Sequence, residues 1–87
     1  MKRTIYRNYK DSVYMSVTNG INLLMASVEL EHMSSARHLA ETLVKQTFRM
    51  DGYTESLFDL GYFTESDFDK LWTFTQLIRL ECTEYLD

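Results

Sequence analysis

The side chains best suited to chemistry in this chain are Glu29, His32, His38 and Glu41. Glu29 and His32 form a Glu-x-x-His unit, the spacing with which helical di-metal sites set two ligands on one face. His38 and Glu41 repeat that spacing in reverse order. A full site of this kind needs two such units and two further glutamates, and one proper unit is present, so no metal is expected. Polar residues also belong at a helix junction, which is where this cluster falls.

Other reactive arrangements are weaker. The single cysteine, Cys82, lies in an apolar stripe with Glu81 and Glu84 nearby, and acidic neighbours raise a thiol pKa, against the needs of a catalytic thiolate. Asp67 and Asp69 form a close carboxylate pair, but in the first turn of a helix the macrodipole accounts for them. There is no glycine-rich phosphate loop, no Gly-x-Ser-x-Gly elbow and no Cys-x-x-Cys pair. The expectation is no catalytic residue, no cofactor and no enzyme.

Charge suggests a different use. Lys2, Arg3, Arg7 and Lys10 make a basic arm over residues 1–10, interleaved with Tyr6 and Tyr9, in a chain of net charge −4. Basic residues among aromatics suit nucleic acid, by phosphate contact and base stacking. Residues 11–87, however, carry five bases against thirteen acids, where a phosphate-binding footprint shows clustered positive charge. Nucleic acid is therefore the disfavoured partner and a protein the favoured one.

The elements that would position these groups are helical. Proline is absent, so nothing forbids long helices. Tyr14, Val17, Ile21, Leu24 and Val28 repeat at helical spacing and predict a helix over about 11–32, capped by Asp11. The same segment also reads as a hairpin, Ser12–Val17 and Ile21–Val28 around Asn19-Gly20, the pair that type I′ turns favour.

A second helix is expected over about 35–49. It would bury Ala36, Leu39, Ala40, Leu43, Val44 and Phe48, with Ser34 or Ser35 as cap and Met50-Asp51-Gly52 as stop. A short third helix spans about 54–60 and ends at Gly61. The last runs over about 64–86, where Thr64 and Asp67 stand as a capping box and Phe68, Leu71, Phe74, Ile78, Cys82 and Tyr85 form the inner stripe. The expected fold is all-α, a small antiparallel bundle of three to four helices in one domain over 11–87. The alternative is α+β with a hairpin at about 12–28.

Composition fits a soluble domain, with 45% hydrophobic and 14% aromatic residues. No apolar run approaches the length of a membrane span, no secretory signal is expected, and cytoplasmic is the default location. The aromatic residues crowd between Phe48 and Phe74, and Tyr and Trp with polar neighbours anchor protein interfaces. The expected role is a small non-enzymatic interaction module (a regulator, adaptor or inhibitor) that self-associates and uses Tyr53, Tyr62 and Trp72 as its contact patch. The alternative is a nucleic-acid-associated regulator working through the basic arm.

Overall fold

The computed structural model describes residues 2–86. Among them are three helices and no strand: α1 (Lys2–Glu29), α2 (Met33–Asp59) and α3 (Glu65–Thr83). At about 1.5 Å per residue, α1 alone nearly spans the molecule, whose extents are 45 × 20 × 16 Å. The side chains give the direction of packing. Tyr9 meets Met50 and Thr54, and Gly20 meets Leu43, so α1 and α2 run antiparallel. Asp51 meets Thr75 and Arg79 while Phe58 meets Phe68, so α2 and α3 also run antiparallel. The central helix is α2, which packs closely on both neighbours. None of the described helices is long and apolar enough to cross a membrane.

The hairpin at 12–28 is not formed: Asn19-Gly20 lies inside α1. The glycine there serves close packing. A Cβ on Gly20 would stand 2.9 Å from Leu43 Cδ1, so the missing side chain lets α2 seat Leu43 against α1. The residues read as a basic arm run into the same helix without a break, and Tyr6, Val13, Val17 and Leu24 form its buried face.

The expected division at Met50-Asp51-Gly52 is likewise absent, and the two middle helices are one. The buried stripe of α2 begins apolar with Ala36, Ala40 and Leu43, then continues through Thr47, Asp51 and Thr54. Those three polar residues are satisfied inside the bundle. Thr47 Oγ1 donates to the Val44 carbonyl at 2.7 Å and Thr54 Oγ1 to the Met50 carbonyl at 2.8 Å. Asp51 accepts from Thr75 at 2.6 Å and pairs with Arg79 at 2.8 Å. Gly52 faces outward, where a Cβ would meet nothing within 4 Å. A mid-helix glycine costs about 1 kcal/mol relative to alanine, which packing on both sides of α2 outweighs.

Both corners are Schellman motifs. At the end of α1, His32 N–H reaches the Ser27 carbonyl at 2.9 Å and Glu31 N–H the Val28 carbonyl at 3.0 Å, with Glu31 at φ 59°. At the end of α2, Tyr62 N–H reaches the Leu57 carbonyl at 3.0 Å and Gly61 N–H the Phe58 carbonyl at 2.9 Å, with Gly61 at φ 83°. The first corner holds a glutamate in a conformation that suits glycine. His32, not Ser34 or Ser35, is the N-cap of α2, and it makes no side-chain capping bond. Thr64 caps α3 as expected: its Oγ1 accepts from Asp67 N–H at 3.1 Å, and Asp67 Oδ2 accepts from Thr64 N–H at 3.2 Å.

Candidate interaction surfaces

On the outer side of the α2–α3 seam, aromatic rings line up along α3. Phe58 and Phe68 have centroids 4.9 Å apart, and Trp72 stacks on Phe68 at 5.7 Å with 21° between the planes. All three rings are half-buried. Two turns beyond Trp72, the Arg79 guanidinium lies 4.4 Å from the centroid of the Phe48 ring. That cation–π contact rests on the buried ion pair: Arg79 Nη1 is 2.8 Å from Asp51 Oδ2, although its N–H vectors are off-line and make no hydrogen bond. Thr75 holds the other carboxylate oxygen. Asp51, held by Thr75, thus balances the charge of the guanidinium beside which Phe48 lies. Phe48 is 60% exposed and Leu80, beside Arg79, is 67% exposed.

Of the expected contact residues, Trp72 belongs to this seam. Tyr62 is half-buried in the α2–α3 corner and packs against the cluster of Tyr6, Val13, Val17, Phe63 and Leu71. Tyr53 is exposed but faces the other side of α2, in a shallow groove with Ser16, Gln46 and Arg49. Tyr53 and Trp72 therefore belong to different surfaces. Phe48 and Leu80, not among the expected contact residues, also belong to the seam with Trp72. Phe48 was expected inside, but the buried register of α2 runs Leu43–Thr47–Asp51 and turns Phe48 outward.

The basic residues lie along the start of α1. Arg3 donates to Asp67 Oδ2 at 2.6 Å, and its guanidinium carbon lies 4.8 Å from the Tyr6 ring centroid. Lys10 Nζ lies 5.7 Å from the centroid of the same ring. Burial raises the Asp67 pKa, but the Thr64 bonds and Arg3 outweigh it and hold the carboxyl below its ordinary value. Burial, then the Asp67 charge, pushes the Tyr6 phenol up. Burial also raises Tyr9, opposed by its bond to Thr54.

A second groove opens between α1 and α3, where Tyr14 meets Phe74 edge-on at 4.5 Å. Tyr14, Phe74 and Leu77 make its floor, and Glu65, Asp69 and Lys70 stand on the α3 side. Cys82 is fully buried among Leu24, Ala36, Ala40 and Leu43, and burial, then Glu81, raises its thiol pKa. Among the described residues no group of three His, Cys, Asp or Glu side chains is placed to hold a metal ion. Comparison of the chain with family models, with curated proteins and with solved structures gives no match.

Proposed function

We propose that this chain is a small non-enzymatic interaction module that binds another protein through the outer α2–α3 seam. The observation that carries this reading is Phe48, a large aromatic ring left 60% exposed over a guanidinium that a buried carboxylate holds in place. Interface hot spots are enriched in Trp, Tyr and Arg and are best when pre-organised. Here Arg79 is already paired with Asp51 and lies against Phe48, Trp72 is stacked on Phe68, and Leu80 extends the apolar area. The rim is polar, with Gln76 and Thr83 beside Arg79 and Leu80.

Two features favour contact over catalysis. The one thiol is buried and held protonated, and Asp67 is committed to its capping box and to Arg3. Nucleic acid fits the basic stripe poorly, because Arg3 is already paired with Asp67.

A photo-crosslinking side chain at Leu80 tests the reading in native host cells, with the same probe at Thr42, an exposed position of α2 away from the seam. A discrete adduct from position 80 that disappears with Phe48→Ala is the expected result. Equal labelling from both positions, or an adduct indifferent to Phe48→Ala, contradicts it.

A further inference from the structure

The basic residues of this chain leave a gap where its aromatic residues are densest. From Met50 to Asp69 there is no Lys, Arg or His, but there are six acids: Asp51, Glu55, Asp59, Glu65, Asp67 and Asp69. Two of these are committed within the fold. Asp51 is paired with Arg79, and Asp67 serves the α3 cap and Arg3. Glu55, Asp59, Glu65 and Asp69 are exposed, and among the described residues no ion pair engages them.

The antiparallel register sets these four carboxylates around the stacked rings of the outer α2–α3 seam. Phe58 lies opposite Phe68, and Asp51 lies opposite Thr75. Glu55 therefore comes level with Leu71 and Trp72, and Asp59 with Asp67 and Phe68. On a helix surface, residues three or four apart are neighbours. Glu55 is thus beside Phe58, Glu65 beside Phe68 and Asp69 beside Trp72. Glu65 and Asp69 stand on the crest of α3, where they also edge the α1–α3 groove.

The bases nearest the stack are directed elsewhere. Arg79 is matched by Asp51, and Arg37 lies by Glu41. Lys70 lines the α1–α3 groove with Tyr14, and Arg49 lines the Tyr53 groove on the other side of α2. Lys45 stands by Phe48, about 15 Å along α2 from Glu55. The seam is therefore apolar along its length and acidic around Phe58, Phe68 and Trp72.

We propose that the segment seated on this seam is a basic stretch of a partner protein, with Lys or Arg side chains over Trp72 and apolar side chains on Phe48 and Leu80. Two attractions coincide there. A cation is drawn to the face of an indole, and this indole is bordered by carboxylates that complement a positive surface. An acidic segment would set like charges against them. The inference rests on the seam being the contact surface and adds the sign of charge that the seam accepts.

The probes are two amphipathic peptides that share one leucine stripe, one with Lys and Arg at its polar positions and the other with Glu. Followed by the anisotropy of a label on the peptide, the basic one is expected to bind the intact chain at least ~10-fold more tightly, less so as salt rises. The net charge of −4 would also favour it, so two variants of equal charge change are compared. Glu55→Gln/Asp59→Asn/Glu65→Gln/Asp69→Asn neutralises the seam, and Asp11→Asn/Glu29→Gln/Glu31→Gln/Glu81→Gln neutralises exposed acids elsewhere. Far-UV circular dichroism reports that both keep their helices. The seam variant should bind the basic peptide at least ~10-fold more weakly than wild type, and the other variant within ~3-fold. Equal losses in the two variants, or a basic peptide that does not bind, overturn the inference. An acidic peptide that binds as tightly, and is lost with Trp72→Ala, overturns the charge assignment alone. Basic-peptide binding that survives both Trp72→Ala and Phe48→Ala shows that the seam is not the surface, and the inference falls with it.

Discussion

The two mid-helix glycines make a matched pair whose alanine variants should move stability in opposite directions. Each substitution gains about 1 kcal/mol from helix propensity and reduced freedom of the unfolded chain. At Gly52 nothing opposes that gain, since the new methyl meets no atom within 4 Å. Gly52→Ala should therefore raise stability by about 1 kcal/mol, or about 4–8 °C in Tm for a domain of this size. At Gly20 the methyl would sit 2.9 Å from Leu43 Cδ1 and 3.6 Å from Cδ2. Leu43 is only 2% exposed and is boxed in by Leu24, Ala36, Ala40 and Cys82. Overpacking of that kind costs about 1–3 kcal/mol, so Gly20→Ala should be destabilised by up to about 2 kcal/mol net. Urea and thermal melts at one fixed protein concentration measure both, because self-association would make Tm concentration-dependent. A Leu43→Ala background separates the terms: with room made, Gly20→Ala should recover most of its propensity gain. A loss of stability in Gly52→Ala would refute the reasoning, since it would mean that α2 does not run continuously past Gly52 or that its outer face is occupied.

Three further perturbations follow from the same geometry. Asp51→Leu or Arg79→Met alone should cost about 3–5 kcal/mol, because each leaves one member of a nearly buried pair unmatched. The double variant Asp51→Leu/Arg79→Met should be less destabilised than either, and additive losses in chemical denaturation would show that the two do not act as a pair. Asp67 is an acid whose folded pKa is depressed, so its contribution is present above its unfolded pKa of about 4 and is lost as pH falls through the lower folded value. Asp67→Asn should then be about 1 kcal/mol less stable than wild type at pH 7, with the two curves converging once the pH falls below the folded value; a gap that persists in acid would contradict the assignment. Glu31→Gly relieves a positive φ at the α1–α2 corner and should leave stability unchanged or raise it by up to about 1 kcal/mol, whereas a clear loss in thermal melts would show that the Glu31 side chain is needed there.

The parts of the fold legible in the sequence are those whose cause lies within a few residues. The Thr64–Asp67 box and the Gly61 corner are local devices, and both form where the spacing placed them. The inner stripe of the last helix was also readable, since Leu71 and Cys82 are buried and Phe68, Phe74 and Ile78 half-buried. What was not readable depends on partners far along the chain. Met50-Asp51-Gly52 looks like a helix stop until Asp51 is seen held by Thr75 and Arg79 on another helix. Asn19-Gly20 looks like a hairpin turn until Leu43 fills the space above the glycine.

The aromatic crowding was legible in the sequence, but where each ring faces was not. Aromatic crowding pointed to contact residues, but Tyr53 and Trp72 are separated by the width of α2. On hydrophobicity alone Phe48 belongs inside in place of Thr47. The polar stripe of α2 reverses that choice, since Thr47 can bond the Val44 carbonyl while keeping in phase with Leu43 and Asp51.

Trp72 is the single tryptophan of the chain, so its emission reports directly on the outer α2–α3 seam. The protein captured by the probe at position 80 should be purified and titrated against the intact chain with tryptophan excitation. If the seam is the binding surface, Trp72 emission shifts to the blue and saturates, and Phe48→Ala/Leu80→Ala weakens the complex at least ~10-fold (about 1.4 kcal/mol) while keeping its helical signal. Full-strength binding by that variant, with Trp72 emission unmoved, would contradict the account.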